Sequence, residues 1–343
     1  VDKILKLQQK IVPELIDLLG KRYDILRTIF YNQPIGRRIL ADQMFISERI
    51  VRNEINFLKS QNLIEVNAMG MFITTEGEEI LDQLKSFIHE IKGLSKFEKF
   101  IEKHLKLKQV IVVPGNVEND KSVIKELGKA AANYAMSMIK DDCIIALTGG
   151  TTVKEVVDSF PKNRKYNNIL VLPARGGLAR DVEIQANTLV ARLAEKIGGN
   201  YELLHVPDNL SKAALTTILN EKNIKNIIDK IQSAQILIYG IGIAKDMAIK
   251  RGLPEKEIKV LEELGAVGEA FGQYYNELGK VIYYTPTVVV KNDDKNNKIL
   301  IAVAAGKNKA RAIIATEINR ASSVLIIDQS AAEEIINILE KRE

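Results

Sequence analysis

Four polar side chains on one segment have the chemistry to read a nucleic acid. In SERIVRNEINFLKSQN (residues 47–62), Arg49, Arg52, Asn53 and Asn56 recur at helical spacing. Arginine and asparagine are side-chain types that reach phosphates and purine edges in a major groove. Val51, Ile55 and Leu58 fall at i, i+4 and i+7 and predict a separate, buried stripe. Ser47 is the expected N-cap, followed by Glu48 where the helix dipole favours negative charge. Arg37 and Arg38, in the short helix predicted from PIGRRILADQMFI, add cations for the phosphate backbone. Leu63–Val66, a turn over Asn67–Gly70 and Met71–Thr74 complete a hairpin. The Arg/Asn face taken alone reads more readily as a solvated helix surface. The succession helix, turn, helix, hairpin favours a winged helix-turn-helix bound to double-stranded DNA.

A second chemistry, the holding of an anion, is written into three turns that follow predicted strands. In CIIALTGGTTVKEVVDSF a strand ends, Gly149 and Gly150 allow a tight turn, and Thr151 and Thr152 open a helix. Exposed N–H groups and two hydroxyls there make an anion site. No G-K-[ST] follows, so the turn is not a Walker loop, and it is not GxGxxG. LPARGGL places Arg175, a bidentate phosphate partner, after the next strand, and Gln185 opens the helix beyond it. IAVAAGKNKARAI supplies Lys307 and Lys309 behind Gly306, either of which can clamp a phosphate. Lys250, Arg251 and Glu269 are further polar candidates for the same pocket. YGIGIAKD lacks the third glycine of a dinucleotide fingerprint, which argues against NAD. His89, His104 and His205 show no metal spacing, and His205 reads as a packed core residue within a strand. No catalytic set, cofactor or metal site is expected.

The elements that must position these residues divide the chain at about residue 92. Residues 1–92 form the expected DNA-binding domain with its linker helix. Asp2–Leu19 is a helical opening, Tyr23–Tyr31 the first winged-domain helix, and Thr75 with Glu78 a capping box for the next helix. Ile80, Leu84, Phe87, Ile91 and Leu94 make a seam of about two heptads. It packs on Asp2–Leu19 or pairs two chains, and pairing is the favoured reading. Gly93 is the expected hinge. Residues 93–343 alternate apolar runs and helices: Val110–Val113, Ile144–Leu147, Ile169–Leu172, Leu203–Val206, Ile236–Tyr239, Ile299–Val303 and Val324–Ile327, with helices at Lys121–Lys140, Val182–Ile197 and Leu215–Ile231. This predicts an α/β effector domain with a doubly wound, mainly parallel sheet, its ligand outside the carboxyl ends of the strands. Val281–Lys291 reads as an added strand pair or excursion.

Composition narrows the class without deciding it. The 343 residues are 46% hydrophobic and 27% charged, as in ordinary globular proteins, with a net charge of +5. Charge is unevenly placed: Lys21–Ile64 carries eight Lys/Arg against four Asp/Glu, and Glu65–Lys92 six acids against two bases. The single cysteine, Cys143, excludes an intrachain disulfide and reads as a buried, inert thiol. No signal pattern is read, and no run approaches the roughly 20 apolar residues that cross a bilayer. The expected location is cytoplasmic, with no membrane partner.

Together TGGTT (148–152), LPARGGL (172–178), QANTLVARLAEKIGG (185–199), YGIG (239–242), AVGEAFGQYY (266–275) and AAGKNKARAI (304–313) resemble the effector domain of the SorC/DeoR-type sugar-responsive transcriptional regulators. The resemblance extends over essentially the whole chain. It implies a fold like that of sugar-phosphate isomerases that have lost catalysis. It also implies a pocket for a sugar phosphate built from Gly149, Gly150, Thr151, Thr152, Arg175, Gln185, Arg251, Glu269 and Lys309. The implied function is a repressor of an operon for the triose-phosphate part of glycolysis, relieved by fructose-1,6-bisphosphate and tetrameric on DNA until the sugar loosens it towards dimers. The alternative is a sugar-phosphate isomerase or deaminase with an appended DNA head, for which Glu269 is the one candidate base. In a third reading, the helices and hairpin contact only protein.

Overall fold

The structure is a computed structural model that describes residues 11–162, 166–176, 181–206, 211–285 and 298–342. Its chain divides into two compact units, one of residues up to 96 with Pro114–Val123, the other of Phe97–Val113 with residues from 124 on.

In the first unit, α1 spans Pro13–Asn32, α2 Arg37–Met44 and α3 Glu48–Ser60. The two helices expected before residue 32 are thus one; residues 2–10 of the predicted opening lie outside the described residues. Gly20 does not break α1, because Leu19, Tyr23, Leu26 and Ile29 carry one apolar face into the core on either side of it. Strands β1 (Ile64–Asn67) and β2 (Gly70–Ile73) pair antiparallel, one residue along from the predicted hairpin, and Met71 also bridges to Ile35. The core gathers Ile25, Leu40, Val51, Ile55, Leu58, Ile64 and Met71. Helix α4 (Thr75–Ile91) is capped by Thr74, whose Oγ1 accepts from Gly77 N at 3.0 Å, so the cap lies one residue before the predicted Thr75. Its buried positions are Gly77, Leu81 and Ile88; of the predicted seam, Ile80, Leu84, Phe87 and Ile91 are half-buried, and Leu94, beyond the end of the helix, is fully buried. Leu84 packs on the same core as α1, the intrachain alternative for this helix. Gly93, at φ +66°, separates α4 from α5 (Leu94–Leu105).

The second unit is built on seven parallel strands: β3 (Gln109–Val113), β4 (Ile144–Leu147), β5 (Leu170–Pro173), β6 (Asn200–Tyr201), β7 (Ile236–Gly240), β12 (Ile299–Ala304) and β13 (Ser323–Asp328), in the order β3-β13-β12-β7-β4-β5-β6. The strand expected at 203–206 forms instead at 200–201, and His205 is exposed rather than packed in a core. Helices α6 (Val123–Met138), α7 (Thr151–Ser159) and α8 (Ala186–Ile197) join strands, α8 following a 3₁₀ turn at Val182–Ile184. The single helix expected at 215–231 is two, α9 (Lys212–Asn220) and α10 (Lys222–Gln232), because Glu221 takes an extended conformation at φ −64°, ψ 128°. Between β7 and β12 the chain makes β8 (Gly242–Ile243), α11 (Ala244–Lys250), α12 (Glu255–Glu263), β9 (Ala266–Ala270), β10 (Gln273–Asn276) and β11 (Val281–Tyr284). These four strands form an antiparallel sheet ordered β11-β10-β9-β8. Of the predicted 281–291 excursion, 281–284 is β11 and 286–291 lies outside the described residues. Helices α13 (Ala310–Glu317) and α14 (Gln329–Glu340) complete the unit.

Strand order reverses between β4 and β7: from β4 the chain moves outward through β5 and β6, from β7 the other way through β12. The loops after these two neighbours diverge and leave a crevice at the carboxyl ends, the place where doubly wound sheets bind ligands.

Candidate functional site

That crevice is a cavity of about 480 Å³, within the roughly 300–1,000 Å³ usual for small-molecule sites. Thr148–Val153 after β4, Arg175 and Gly176 after β5, Gly240–Ile243 after β7 and Lys309 after β12 line it. Asp181, Asp246, Met247, Lys250, Arg251, Glu269 and Phe271 also lie in the wall.

Local backbone chemistry explains the mouth of α7. A Cβ on Gly149 would lie 2.5 Å from the Ile184 carbonyl oxygen, so only glycine lets the two loops approach. Gly150, at φ +126°, is the N-cap and has no side chain to satisfy the first helical N–H groups. Its own N–H donates to Ile184 O at 2.8 Å. The first turn of α7, with the Thr151 and Thr152 hydroxyls, therefore meets the cavity uncapped, and its dipole favours an anion.

The cationic side chains differ in how free their charge is. Arg251 is buried and committed: Nη2 donates to Glu269 Oε1 at 2.6 Å and Nη1 to Thr285 Oγ1 at 3.4 Å. Glu269 Oε1 also accepts from Gly272 N at 2.5 Å. Lys309 is half-buried, and among the described residues its Nζ has no hydrogen-bond or ion-pair partner. Burial, reinforced by the nearby Lys250 charge, holds its ammonium below the usual lysine range, against the weaker pull of Asp328 and Asp246. Lys307, the other candidate at this turn, points its exposed side chain to Glu334 at 3.4 Å. Asp328 fixes the turn by accepting from Gly306 N at 2.9 Å.

The structure thus brings Gly149, Gly150, Thr151, Thr152, Arg175, Arg251, Glu269 and Lys309 around one cavity. Gln185 is not in its lining: it is the extended residue between the 3₁₀ turn and α8, and the neighbouring Ile184 and Ala186 face the cavity instead. Asp181, Asp246 and Phe271 were not singled out from sequence. Asp246 lay in view at the end of YGIGIAKD, whereas Phe271 becomes a wall residue only through the β9–β10 turn.

On the first unit, Ser47 Oγ accepts from Ile50 N at 3.4 Å and caps α3. Val51, Ile55 and Leu58 are buried, and Arg49, Arg52, Asn53 and Asn56 lie exposed on α3, as do Arg37 and Arg38 on α2. Glu54, missed from sequence, turns inward to Arg22 Nε at 2.9 Å and Lys21 Nζ at 3.3 Å. Burial pulls its carboxyl upward, but these two hydrogen bonds and the positive charges of their donors together outweigh it and leave it below the usual glutamate value. Among the described residues no group of three His, Cys, Asp or Glu side chains is placed to hold a metal, and no helix is long and apolar enough to cross a membrane.

Residues 89–337 match the family model described as "Putative sugar-binding domain", and residues 18–88 the one described as "CggR N-terminal DNA binding domain". The Central glycolytic genes regulator of Priestia megaterium is 41% identical over 339 residues, 97% of this chain and 98% of the relative. That of Bacillus subtilis is 39% identical over 337 residues, 98% and 99% respectively. The chain belongs to the SorC family of sugar-responsive transcriptional regulators. Among solved structures, a SorC-family regulator from Enterococcus faecalis is 33% identical with a TM-score of 0.65, over 70% of this chain and 99% of that one. The full-length sorbitol operon regulator SorC of Klebsiella pneumoniae has the same TM-score at 16% identity, over 94% and 98%, and shows the shared fold. In this SorC-family chain the exposed Arg/Asn face lies within the matched DNA-binding domain, and every cavity residue lies within the matched sugar-binding domain.

Proposed function

We propose that this regulator represses a glycolytic operon, and that fructose-1,6-bisphosphate bound in the cavity relieves repression. The observation that carries the ligand class is Lys309. A half-buried ammonium with no hydrogen-bond or ion-pair partner among the described residues, beside a second lysine and an uncapped helix N-terminus, is a charge arrangement that an anion completes. Topology supports two anionic groups rather than one. Arg175 and Lys309 follow β5 and β12, which are three strand spacings apart in the sheet, roughly 14 Å between strand axes. A six-carbon sugar with a phosphate at each end suits cations at both edges of such a crevice, and Asp181 and Asp246 offer acceptors to its hydroxyls. The glycolytic target follows from the relatives' names.

The DNA contact is assigned to Arg49, Arg52, Asn53 and Asn56 in the major groove, with Arg37 and Arg38 on the backbone. Catalysis is not part of the proposal: the Oε1 of Glu269, the one base candidate, is committed to Arg251 and Gly272. The sugar acts by binding one arrangement of subunits better than the DNA-competent one. We assign that change to a tetramer on DNA loosening to dimers, checked by sedimentation of the DNA complex with and without the sugar. The ligand is tested by calorimetry with fructose-1,6-bisphosphate, fructose 6-phosphate and inorganic phosphate. The bisphosphate binds at least tenfold more tightly than either, and Arg175→Ala or Lys309→Met removes that preference. Equal affinity for the mono- and bisphosphate refutes the two-ended site.

A further inference from the structure

Beneath the cavity wall lies a polar network that the binding site does not use. Phe271, in the wall, packs its ring 4.2 Å from that of Tyr239, which is wholly buried. Tyr239 Oη donates to Glu317, 2.8 Å from Oε1 and 3.0 Å from Oε2, and Ser323 Oγ donates to Oε2 at 2.6 Å. Glu317 and Ser323 have no exposed surface. Arg320 joins this cluster through Nη1, which donates to Tyr239 Oη at 3.5 Å and stands 4.0 Å from Glu317 Oε1. Its Nη2 donates at the same time to Tyr275 Oη at 2.6 Å, and Tyr275 in turn donates to Gln273 Oε1 at 2.7 Å. A buried charge network of this kind adds little stability over packed hydrocarbon, so stability alone does not explain it.

The two ends of the network are attached to different things. Tyr275 stands on β10, the strand that leaves the Glu269–Phe271 turn of the cavity wall. Glu317 and Ser323 bracket the turn between α13 and β13. In that turn Asn319 N donates to Leu105 O at 2.8 Å, and Ser323 O accepts from Lys108 N at 2.9 Å. Leu105 ends α5, whose Glu98 and Glu102 carboxylates also accept from Val112 N and Val110 N, each at 2.8 Å. Helix α5 begins at Leu94, directly after the Gly93 turn that ends the winged domain's last helix.

We propose that Arg320 is a strap between the sugar site and α5, tying Tyr275 of the cavity-wall hairpin to Tyr239 and Glu317 beside the turn that holds the end of α5. Displacement of the 269–275 hairpin by a bound sugar moves Tyr275. Arg320 is drawn with it, and through Tyr239 and Glu317 the 317–323 turn resets the end of α5. A contiguous chain of hydrogen bonds from the hairpin to the turn supplies the physical link that coupling between distant sites uses.

The inference rests on the sugar-gated reading, and the test separates the two. Fructose-1,6-bisphosphate affinity is measured by calorimetry, and affinity for operator DNA by fluorescence anisotropy with and without the sugar. The full-length wild type is compared with Tyr275→Phe and Tyr239→Phe, which keep the rings and remove one hydroxyl each. Sugar affinity and sugar-free DNA affinity stay within about threefold of wild type in both. The sugar-induced loss of DNA affinity, roughly 5- to 150-fold for a coupled pair of sites, shrinks to under about threefold. Wild-type coupling in both variants overturns the strap alone. Loss of sugar affinity in Tyr275→Phe also overturns it, by making that hydroxyl part of the binding wall. A wild type that binds the sugar without change in DNA affinity overturns the sugar-gated reading itself.

Discussion

Replacing Lys309 with methionine tests the cavity's charge logic on two quantities that should move in opposite directions. In the free protein the ammonium is disfavoured by burial and by Lys250, so its removal relieves a cost and raises the stability of the empty fold. In the sugar complex the same change deletes a charge-assisted hydrogen bond. Such bonds contribute about 1.5–3 kcal/mol, which weakens binding roughly 10- to 150-fold. The assay is thermal unfolding with and without fructose-1,6-bisphosphate. At 100 times the wild-type dissociation constant, the ligand stabilises by about 2.7 kcal/mol. With a site 100-fold weaker, the same concentration contributes only about 0.4 kcal/mol. For a domain of this size 1 kcal/mol moves Tm by about 2–4 °C, so a shift of about 5–11 °C falls to about 1 °C. The pH dependence has a definite sign. A phosphate raises the lowered lysine pKa, so binding takes up protons, and affinity falls as pH rises through the lowered value towards the ordinary lysine range. Over the same window the unfolded chain holds the extra proton, so stability of the free protein rises with pH. Both slopes are reduced in Lys309→Met. An unchanged ligand shift in the variant, or a less stable empty protein, refutes the reasoning.

Three further outcomes follow from the geometry. Arg52→Ala weakens operator binding by about 1–3 kcal/mol if the side chain reads a base; if it holds a phosphate, the slope of log K against log salt falls by about 1. Titration of DNA affinity at several salt concentrations distinguishes these, and no change in either removes Arg52 from the interface. Ser47→Ala removes the α3 cap and costs about 1 kcal/mol of winged-domain stability in a denaturant melt, with Ser47→Asn close to wild type. Gly149→Ala places a Cβ 2.5 Å from Ile184 O, so sugar binding is lost by calorimetry while the winged domain still binds DNA. Retained sugar affinity in that variant contradicts the close approach of the two loops.

Features that depend on local pattern were legible in the sequence. Apolar runs of four or five residues marked six of the seven parallel strands, because strands buried on both faces read as continuous hydrophobic segments. Ser47 and the α3 stripe were legible because capping and helical periodicity act within a few residues. The errors are local competitions that tertiary packing decided. Gly20 stayed helical because the α1 face continues across it, Thr74 capped in place of Thr75, and Glu221 broke one helix into two. In the cavity, the turns at 148–152, 175–176 and 306–309 were visible because glycine and cations cluster after strands. What one-dimensional spacing could not show is which charges are already spoken for. The Arg251–Glu269 pair, the choice between Lys307 and Lys309, and the Tyr239–Glu317–Arg320–Tyr275 network each join residues brought together only by the sheet order.

Sugar control of DNA binding is measured most directly by fluorescence anisotropy of the full-length protein on DNA upstream of its own operon, titrated with fructose-1,6-bisphosphate. The expected result is sequence-specific binding that the sugar weakens or remodels in the wild type and leaves unchanged in Thr152→Ala and in Arg175→Ala. DNA binding that ignores the sugar in the wild type, or a sugar response intact in both variants, would contradict it.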